Sequence, residues 1–160
     1  MLRPAILAIT LLPTLVAATE GAFLTCTVGS KQLALSIQDE TVTYSFGPQG
    51  KPELVIQEPV ATVDYRPWNG IGRTNVYYVT FYNHNYSYTV VSSTNYENYR
   101  NNIHYYDARI WVERDDKVLV ILKCNEQFAG DPLDPIPEAK DALGQCWSRE
   151  AEQWSENCAD

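Results

Sequence analysis

Short runs in which apolar and polar residues alternate occupy most of this chain between Phe23 and Cys124, with turn residues about every ten positions. In the run 41–46, Val42, Tyr44 and Phe46 fall on one side, and threonines and a serine fall on the other. Successive side chains of a β-strand point to opposite faces, so this pattern is typical of antiparallel sheets with one buried face. We therefore expect an all-β fold, a small antiparallel barrel or sandwich of eight or nine strands.

The expected strands are 23–28, 31–38, 41–46, 53–57, a weaker run 59–63, 75–82, 85–92, 108–113 and 117–124. The two runs 75–82 and 85–92 are rich in Val, Tyr, Thr and Phe and predict the strongest hairpin. In the last two strands we expect five side chains to face the core: Ile110, Val112, Val118, Val120 and Leu122.

The chain beyond Cys124 changes character. Three prolines in the segment 131–137 favour an extended linker. From Glu138 onward apolar residues recur at helical spacing up to Cys146 and Trp147, which predicts a short helical tail in which Trp147 and Trp154 pack on the barrel or on each other. The predicted organisation is thus a segment 1–18, a β-barrel-like domain 19–124, and an acidic, proline-containing linker with a helical tail, 125–160.

The segment 1–18 has the pattern of a secretory signal peptide. Arg3 precedes an apolar run that ends in small residues at Ala18. A membrane-spanning helix needs about 20 apolar residues, and Pro13 interrupts this run, so a signal peptide is favoured over an anchor. Cleavage after Ala18 or Ala22 would leave a periplasmic or secreted protein without a membrane span.

Four cysteines follow the signal peptide: Cys26, Cys124, Cys146 and Cys158. Two disulfides are expected, because an exported chain meets an oxidising compartment, and three pairings are possible. If the sheet closes so that the first strand lies beside the last, Cys26 comes near Cys124, and Cys146 is left with Cys158. Zinc sites use closely spaced ligand pairs, whereas 97, 21 and 11 residues separate consecutive cysteines here, so we expect no metal.

Acidic residues are concentrated in the tail. The net charge of the chain is −8; residues 19–124 contain 11 acidic and 9 basic residues, and residues 125–160 contain 9 and 2. Nucleic acid is not expected as a partner, because its phosphates require clustered Lys and Arg. A cationic partner suits the tail better, although acidic residues also keep exported proteins soluble.

Signatures of catalysis and cofactor binding are missing from the sequence: it has no G-x-S-x-G, H-E-x-x-H, phosphate-binding glycine loop or C-x-x-C. Of the two histidines, His84 is expected at a hairpin tip and His104 in a polar loop. We therefore expect neither an enzyme nor a cofactor.

Tyrosine is the one unusual component of the composition. Seven of the eleven tyrosines lie between Tyr82 and Tyr106, and in the polar stretch 93–107 they interleave with Asn, Arg and His. Recognition surfaces favour this mixture, although tyrosines also cap the ends of barrels. The segment 66–73, with two glycines and a proline, predicts a turned connection nearby. The candidate binding residues are Arg73, Tyr96, Tyr99, Arg100, His104, Tyr105 and Tyr106.

Three parts of the chain resemble a family of exported bacterial proteins to which no activity is assigned: Phe23-Leu24-Thr25-Cys26, Tyr44 to Leu54, and Lys117 to Cys124. More loosely, the aromatic-x-x-Cys opening, the consecutive short strands and the final strand ending in Cys resemble the periplasmic or membrane-bound inhibitors of c-type lysozyme. That resemblance implies a small antiparallel barrel closed by a disulfide between its first and last strands. Those inhibitors use a Ser-Gly-x-x-Tyr loop; here Asn69-Gly70-Ile71-Gly72-Arg73 has neither the Ser nor the Tyr.

The function expected from these patterns is that of a periplasmic or secreted binding module of the lysozyme-inhibitor kind. Its partner would be a protein, in particular a cationic one such as a lysozyme, or a glycan. The alternative is a structural or assembly protein of the cell envelope that docks a partner through its acidic tail.

Overall fold

The computed structural model describes residues 21–95 and 105–158, so the predicted signal peptide lies outside the described residues. Within those ranges the strands are β1 (Ala22–Val28), β2 (Lys31–Gln38), β3 (Thr41–Gly47), β4 (Leu54–Pro59), β5 (Asp64–Arg66), β6 (Thr74–Asn83), β7 (Tyr86–Asn95), β8 (Tyr105–Arg114), β9 (Lys117–Ala129), β10 (Cys146–Ser148) and β11 (Gln153–Ser155). The helix is α1 (Pro135–Ala142).

Two antiparallel sheets make up the body of the fold. One contains β1 to β4 and the other β5 to β9, each in chain order, while β10 and β11 form a separate hairpin. The sheets are stacked so that β1 lies beside β9 and β4 approaches β6. This arrangement confirms the predicted all-β, sandwich-like class with a short helical segment in the tail.

Tight two-residue turns join several neighbouring strands. Asp39 and Glu40 connect β2 to β3, and Asp115 and Asp116 connect β8 to β9, all four with φ between 48° and 60°. Left-handed backbone at both central positions is the geometry of a type I′ turn, whose twist matches that of the strands it joins. The strands therefore follow one another as simple hairpins.

The inner faces of the two sheets form one apolar core. Leu33 and Leu35 from the first sheet and Phe81 and Ile110 from the second are fully buried. The ring of Tyr44 lies 5.3 Å from that of Phe81, centroid to centroid, and so joins the sheets. Each fully buried apolar side chain of this size contributes about 1.5–3 kcal/mol to stability.

A covalent bond holds β1 against β9, the last strand of the two sheets. Cys26 of β1 and Cys124 of β9 form a disulfide, and the Thr27 N–H donates a hydrogen bond of 2.7 Å to Glu126 Oε2. Cys146 and Cys158 form the second disulfide. Both predicted pairings are confirmed, although β1 and β9 belong to different sheets and share no ladder.

Three of the five side chains predicted to face the core in the last two strands do so: Ile110, Val112 and Leu122. The prediction was wrong for Val118 and Val120, which are 52% and 42% exposed. The ladder between β8 and β9 has a bulge that sets Val118 opposite Glu113 while Val120 stays opposite Val112. Because a bulge inserts one extra residue, Val118 turns away from the core side.

Apart from Pro59, which ends β4, the weak run 59–63 is a turn rather than the predicted strand. The Val63 N–H donates to Pro59 O at 2.9 Å, and the Val60 N–H donates to Glu40 O at 2.8 Å. Val60 and Val63 are nevertheless buried, so their apolar character reflects core packing from a turn and not strand alternation.

The segment 131–137 is not the extended linker that its prolines predicted. Leu133 and Ile136 belong to the core cluster and are fully buried, each with 0% exposure. Pro135 opens α1, a position where the missing N–H costs nothing. The tail is therefore packed on the sheets from Leu133 onward.

The helix also ends earlier than predicted. Gly144, with φ of 78°, follows α1, and Cys146 and Trp147 then belong to β10 instead of to a helix. Trp147 lies opposite Trp154 in the β10–β11 ladder, and the two rings are 5.8 Å apart. The predicted contact between these tryptophans is confirmed on a hairpin.

The two disulfides are expected to differ in their contribution to stability. Cys26 and Cys124 are 98 residues apart and Cys146 and Cys158 only 12, so the chain-entropy account gives about 4.7 and about 2.8 kcal/mol. We predict that Cys26→Ala/Cys124→Ala lowers the free energy of unfolding more than Cys146→Ala/Cys158→Ala, as measured by urea denaturation. Equal losses would contradict this ranking.

Candidate functional site

Four of the seven predicted binding residues lie outside the described residues: Tyr96, Tyr99, Arg100 and His104. Tyr105 is 53% exposed, whereas Tyr106 faces inward, with its ring 6.3 Å from that of Tyr77. Arg73 is exposed directly before β6. Thr74, at the start of β6, pairs with Asn95, at the end of β7. Arg73 and Tyr105 therefore lie at the same end of the five-stranded sheet, and β7 separates them.

A groove of about 720 Å³ lies beside Arg73, between the loop 66–73 and the β10–β11 hairpin. Its floor includes Val76 and Tyr78 on β6, and Trp68 and Ile71 line the loop side. The hairpin side is formed by Trp147, Arg149 and Glu152. We call this the loop–tail groove.

The loop side is held by its own hydrogen bonds. Trp68 Nε1 donates to Ile71 O at 3.0 Å, and the Ile71 N–H donates to Asn69 Oδ1 at the same distance. Gly70 and Gly72 have φ of 84° and 93°, a conformation that side chains with a Cβ rarely adopt. These contacts fix the loop while leaving the Ile71 side chain 77% exposed.

The opposite side of the groove is anchored on β5. Trp154 Nε1 donates to Tyr65 O at 2.9 Å, and the two rings are 6.1 Å apart. The Cys146–Cys158 disulfide closes the segment that contains the hairpin. Trp147 is thereby held at the edge of the groove.

Charged groups on the two sides differ in how they are paired. Arg66 Nε lies 3.2 Å from Asp64 Oδ1, and this contact raises the pKa of Arg66. Tyr82 also donates to Asp64, at 2.8 Å; burial, together with this hydrogen bond, raises the pKa of Tyr82 to about 12. Arg149, in contrast, has no carboxylate within 4.0 Å among the described residues. Its guanidinium is open to a ligand.

Comparisons with other proteins give no relative. No known protein family, curated protein or solved structure matches this chain. The geometry of the site therefore carries the functional argument.

Lys140 anchors the helix behind the hairpin. Its side chain is 1% exposed, and Nζ donates to Ala61 O at 3.3 Å and lies 5.4 Å from the centre of the Trp154 ring. Burial lowers the pKa of Lys140 to about 8, against the opposing effect of Asp64. The ammonium thus fixes α1 to the turn before β5, at a cost in desolvation.

Asp131, like Lys140, is an ionisable residue whose side chain is largely shielded from solvent, here at the start of the packed tail. Its Oδ1 accepts a hydrogen bond of 3.0 Å from the Leu133 N–H, and this bond, together with the nearby Ser92 hydroxyl, favours the ionised form. Burial, with a smaller effect from Asp134, raises the pKa of Asp131 to about 6. The ionised carboxylate is therefore unfavourable in the folded state.

Sequence reasoning missed most of the groove. It singled out the loop 66–73 and chose Arg73, but the lining residues are its neighbours Trp68 and Ile71, together with Trp147 and Arg149 from the tail. The available signal was tryptophan, because three of the four tryptophans lie at the groove or at the hairpin beside it.

In residues 21–95 and 105–158, no three His, Cys, Asp or Glu side chains are grouped as a metal site would require. No helix in these ranges is long and apolar enough to cross a bilayer.

Replacing Asp131 with Asn should remove a pH dependence of stability. The pKa of Asp131 is about 6 in the folded chain and close to 3.8 when unfolded, so the folded state binds the proton more tightly and stability falls as the pH rises from about 4 to about 6. Each pKa unit corresponds to about 1.4 kcal/mol, so Asp131→Asn should gain up to about 3 kcal/mol at pH 7.5 and only about 0.5 kcal/mol at pH 4.

Urea denaturation at both pH values measures this difference. The exposed neighbour Asp134 provides the control, since Asp134→Asn should give a much smaller gain. A loss of stability for Asp131→Asn at pH 7.5 would contradict the assignment.

Proposed function

We propose that this chain is an exported, non-catalytic binding module that receives its ligand at the loop–tail groove. The observation that carries the proposal is the loop 66–73, whose internal hydrogen bonds hold it in place while Ile71 projects from it. A loop that is fixed before binding loses little conformational entropy when it meets a ligand. Loops positioned by a rigid β scaffold are where binding residues are often found.

The groove lining supports contacts with a protein or a glycan. Trp68, Trp147 and Tyr78 supply aromatic surface, and Arg149 supplies a cation without an ion-pair partner among the described residues. Aromatic rings and arginine are the residues most enriched at the energetic centres of protein interfaces. A planar aromatic face also suits the apolar face of a sugar ring.

A lysozyme is the partner that the proposal favours among proteins. The disulfide between the first and last strands, Cys26–Cys124, is the feature shared with the inhibitors of c-type lysozyme that the sequence resembles. The net charge of −8 would accelerate encounter with a cationic enzyme, an effect that salt weakens. In this proposal the projecting loop around Ile71 takes the part of the missing Ser-Gly-x-x-Tyr loop.

One observation favours the alternative of an envelope assembly protein. Asp134, Glu138 and Asp141 are exposed and spaced along one side of α1, so the helix presents an acidic face. A cationic partner could dock there without using the groove. Charge removal on α1 therefore separates the two proposals.

We predict that the purified chain slows the clearing of a cell-wall suspension by c-type lysozyme, or else binds the cell-wall glycan directly in a sedimentation assay. Ile71→Asp should weaken either effect at least about tenfold, a loss of about 1.4 kcal/mol, because it places a charge at the projecting apolar contact. Trp147→Ala should act in the same direction.

Glu138→Gln/Asp141→Asn is the matched control, since it changes the exposed face of α1 and leaves the groove intact. This variant should bind and inhibit as the parent does. Unchanged lysis together with no binding to the glycan, at micromolar protein, would remove the proposal. If the α1 variant loses binding or inhibition and Ile71→Asp keeps it, the acidic face of α1 is the docking surface.

A further inference from the structure

The two edge strands of the five-stranded sheet, β5 and β9, differ in how far other segments cover them. At one edge, β5 is covered by the tail hairpin through the Trp154 Nε1 bond to Tyr65 O. At the other edge, β1 is joined to β9 at Cys124 and Glu126. The run 117–122 pairs with β8 on its inner side and has no partner strand on its outer side in the described part of the chain.

This open run is apolar. Val118, Leu119, Val120 and Ile121 are 52%, 55%, 42% and 53% exposed. We call these four residues the β9 edge patch. An exposed apolar edge strand is a template for pairing with another chain, and a protein that retains one usually covers it in its working state.

We propose that the β9 edge patch pairs antiparallel with the same patch of a second copy of this chain, so that two five-stranded sheets become one continuous sheet. The pairing is centred between Leu119 and Val120. It sets Val118 opposite Ile121 of the second copy, and the reverse contact follows from the two-fold symmetry.

The bulge in β9 makes this register possible. Residues opposite each other in an antiparallel pair point to the same face of the sheet. Val118 pairs with Glu113 and Ile121 with Trp111, and Glu113 and Trp111 are two apart on β8 and share a face. Val118 and Ile121 therefore face the same side although they are three apart, which a strand without a bulge does not allow.

Charge complementarity points to a second copy as the occupant. The same register sets Asp116 of one chain opposite Lys123 of the other, twice per dimer, just outside the apolar patch. These pairs offset the repulsion between two chains that each carry a net charge of −8. The turn at Asp115 and Asp116 and the cover from β1 at Cys124 limit the pairing to this run.

Sedimentation velocity over a range of concentrations tests the proposal on the purified chain. We expect a monomer–dimer equilibrium. Val118→Lys should raise the dimer dissociation constant at least about tenfold, because it places a cation in the apolar contact. Val55→Lys is the matched control: Val55 is a valine on the edge strand β4 with 49% exposure, and its substitution should leave the dissociation constant unchanged.

A charge exchange tests the register, although Lys123 Nζ also lies 4.0 Å from Asp107 Oδ1 of its own chain. Lys123→Glu should weaken the dimer by setting two carboxylates opposite each other, and Asp116→Lys/Lys123→Glu should restore it. Circular dichroism checks that each variant is folded. If the chain stays monomeric at every concentration up to about 1 mM, the dissociation constant is too high for a stable dimer and the proposal is overturned. So would equal effects of Val55→Lys and Val118→Lys, or a double variant that stays as weak as Lys123→Glu.

Discussion

The seam between β1 and β9 is the constraint on which the rest of this structure depends. The two sheets share an apolar core but no ladder, and at this side a disulfide and one backbone-to-carboxylate hydrogen bond join them. The opposite side is closed by side chains from the tail, in particular Leu133 and Ile136. One covalent bond and one packed segment therefore do what continuous strand pairing does in a closed barrel.

Most of the strands could be predicted because the alternation of apolar and polar residues and the turn residues between the runs indicate the same strand boundaries. The run 41–46 alternates, and Asp39-Glu40 before it favours a tight turn, so local and global preferences coincide. The bulge in β9 could not be predicted in this way, since Val118, Val120 and Leu122 alternate as in a regular strand. The tail was ambiguous for a related reason: its apolar spacing fits a helix up to Trp147, but Gly144 and the bond from Cys146 to Cys158 favour a hairpin.

The candidate site was only partly visible in the sequence. Glycine and proline marked the loop 66–73 as a turned segment, and Arg73 lies at its end. The groove, however, exists only because a hairpin more than seventy positions later in the chain packs against β5. A local sequence pattern does not predict such a long-range contact. The burial of Lys140 results from the same packing of the tail against the turn before β5. In the sequence Lys140 reads as an ordinary charged helix residue, because its burial is decided by what α1 packs against.

The short ring closed by Cys146 and Cys158 ties the shape of the loop–tail groove to the oxidation state of the protein. β10 and β11 contain three residues each, and an isolated two-stranded hairpin of that size is at best marginally stable in water. Cys26 and Cys124 are buried, whereas Cys158 is exposed, so a mild thiol reductant reaches this ring first. Opening it alone would leave the nine strands of the sandwich and their core in place but would release Trp147 and Arg149 from their positions. The sandwich and the groove would then respond separately to reduction, and a partly reduced chain would stay folded while one wall of its groove is lost.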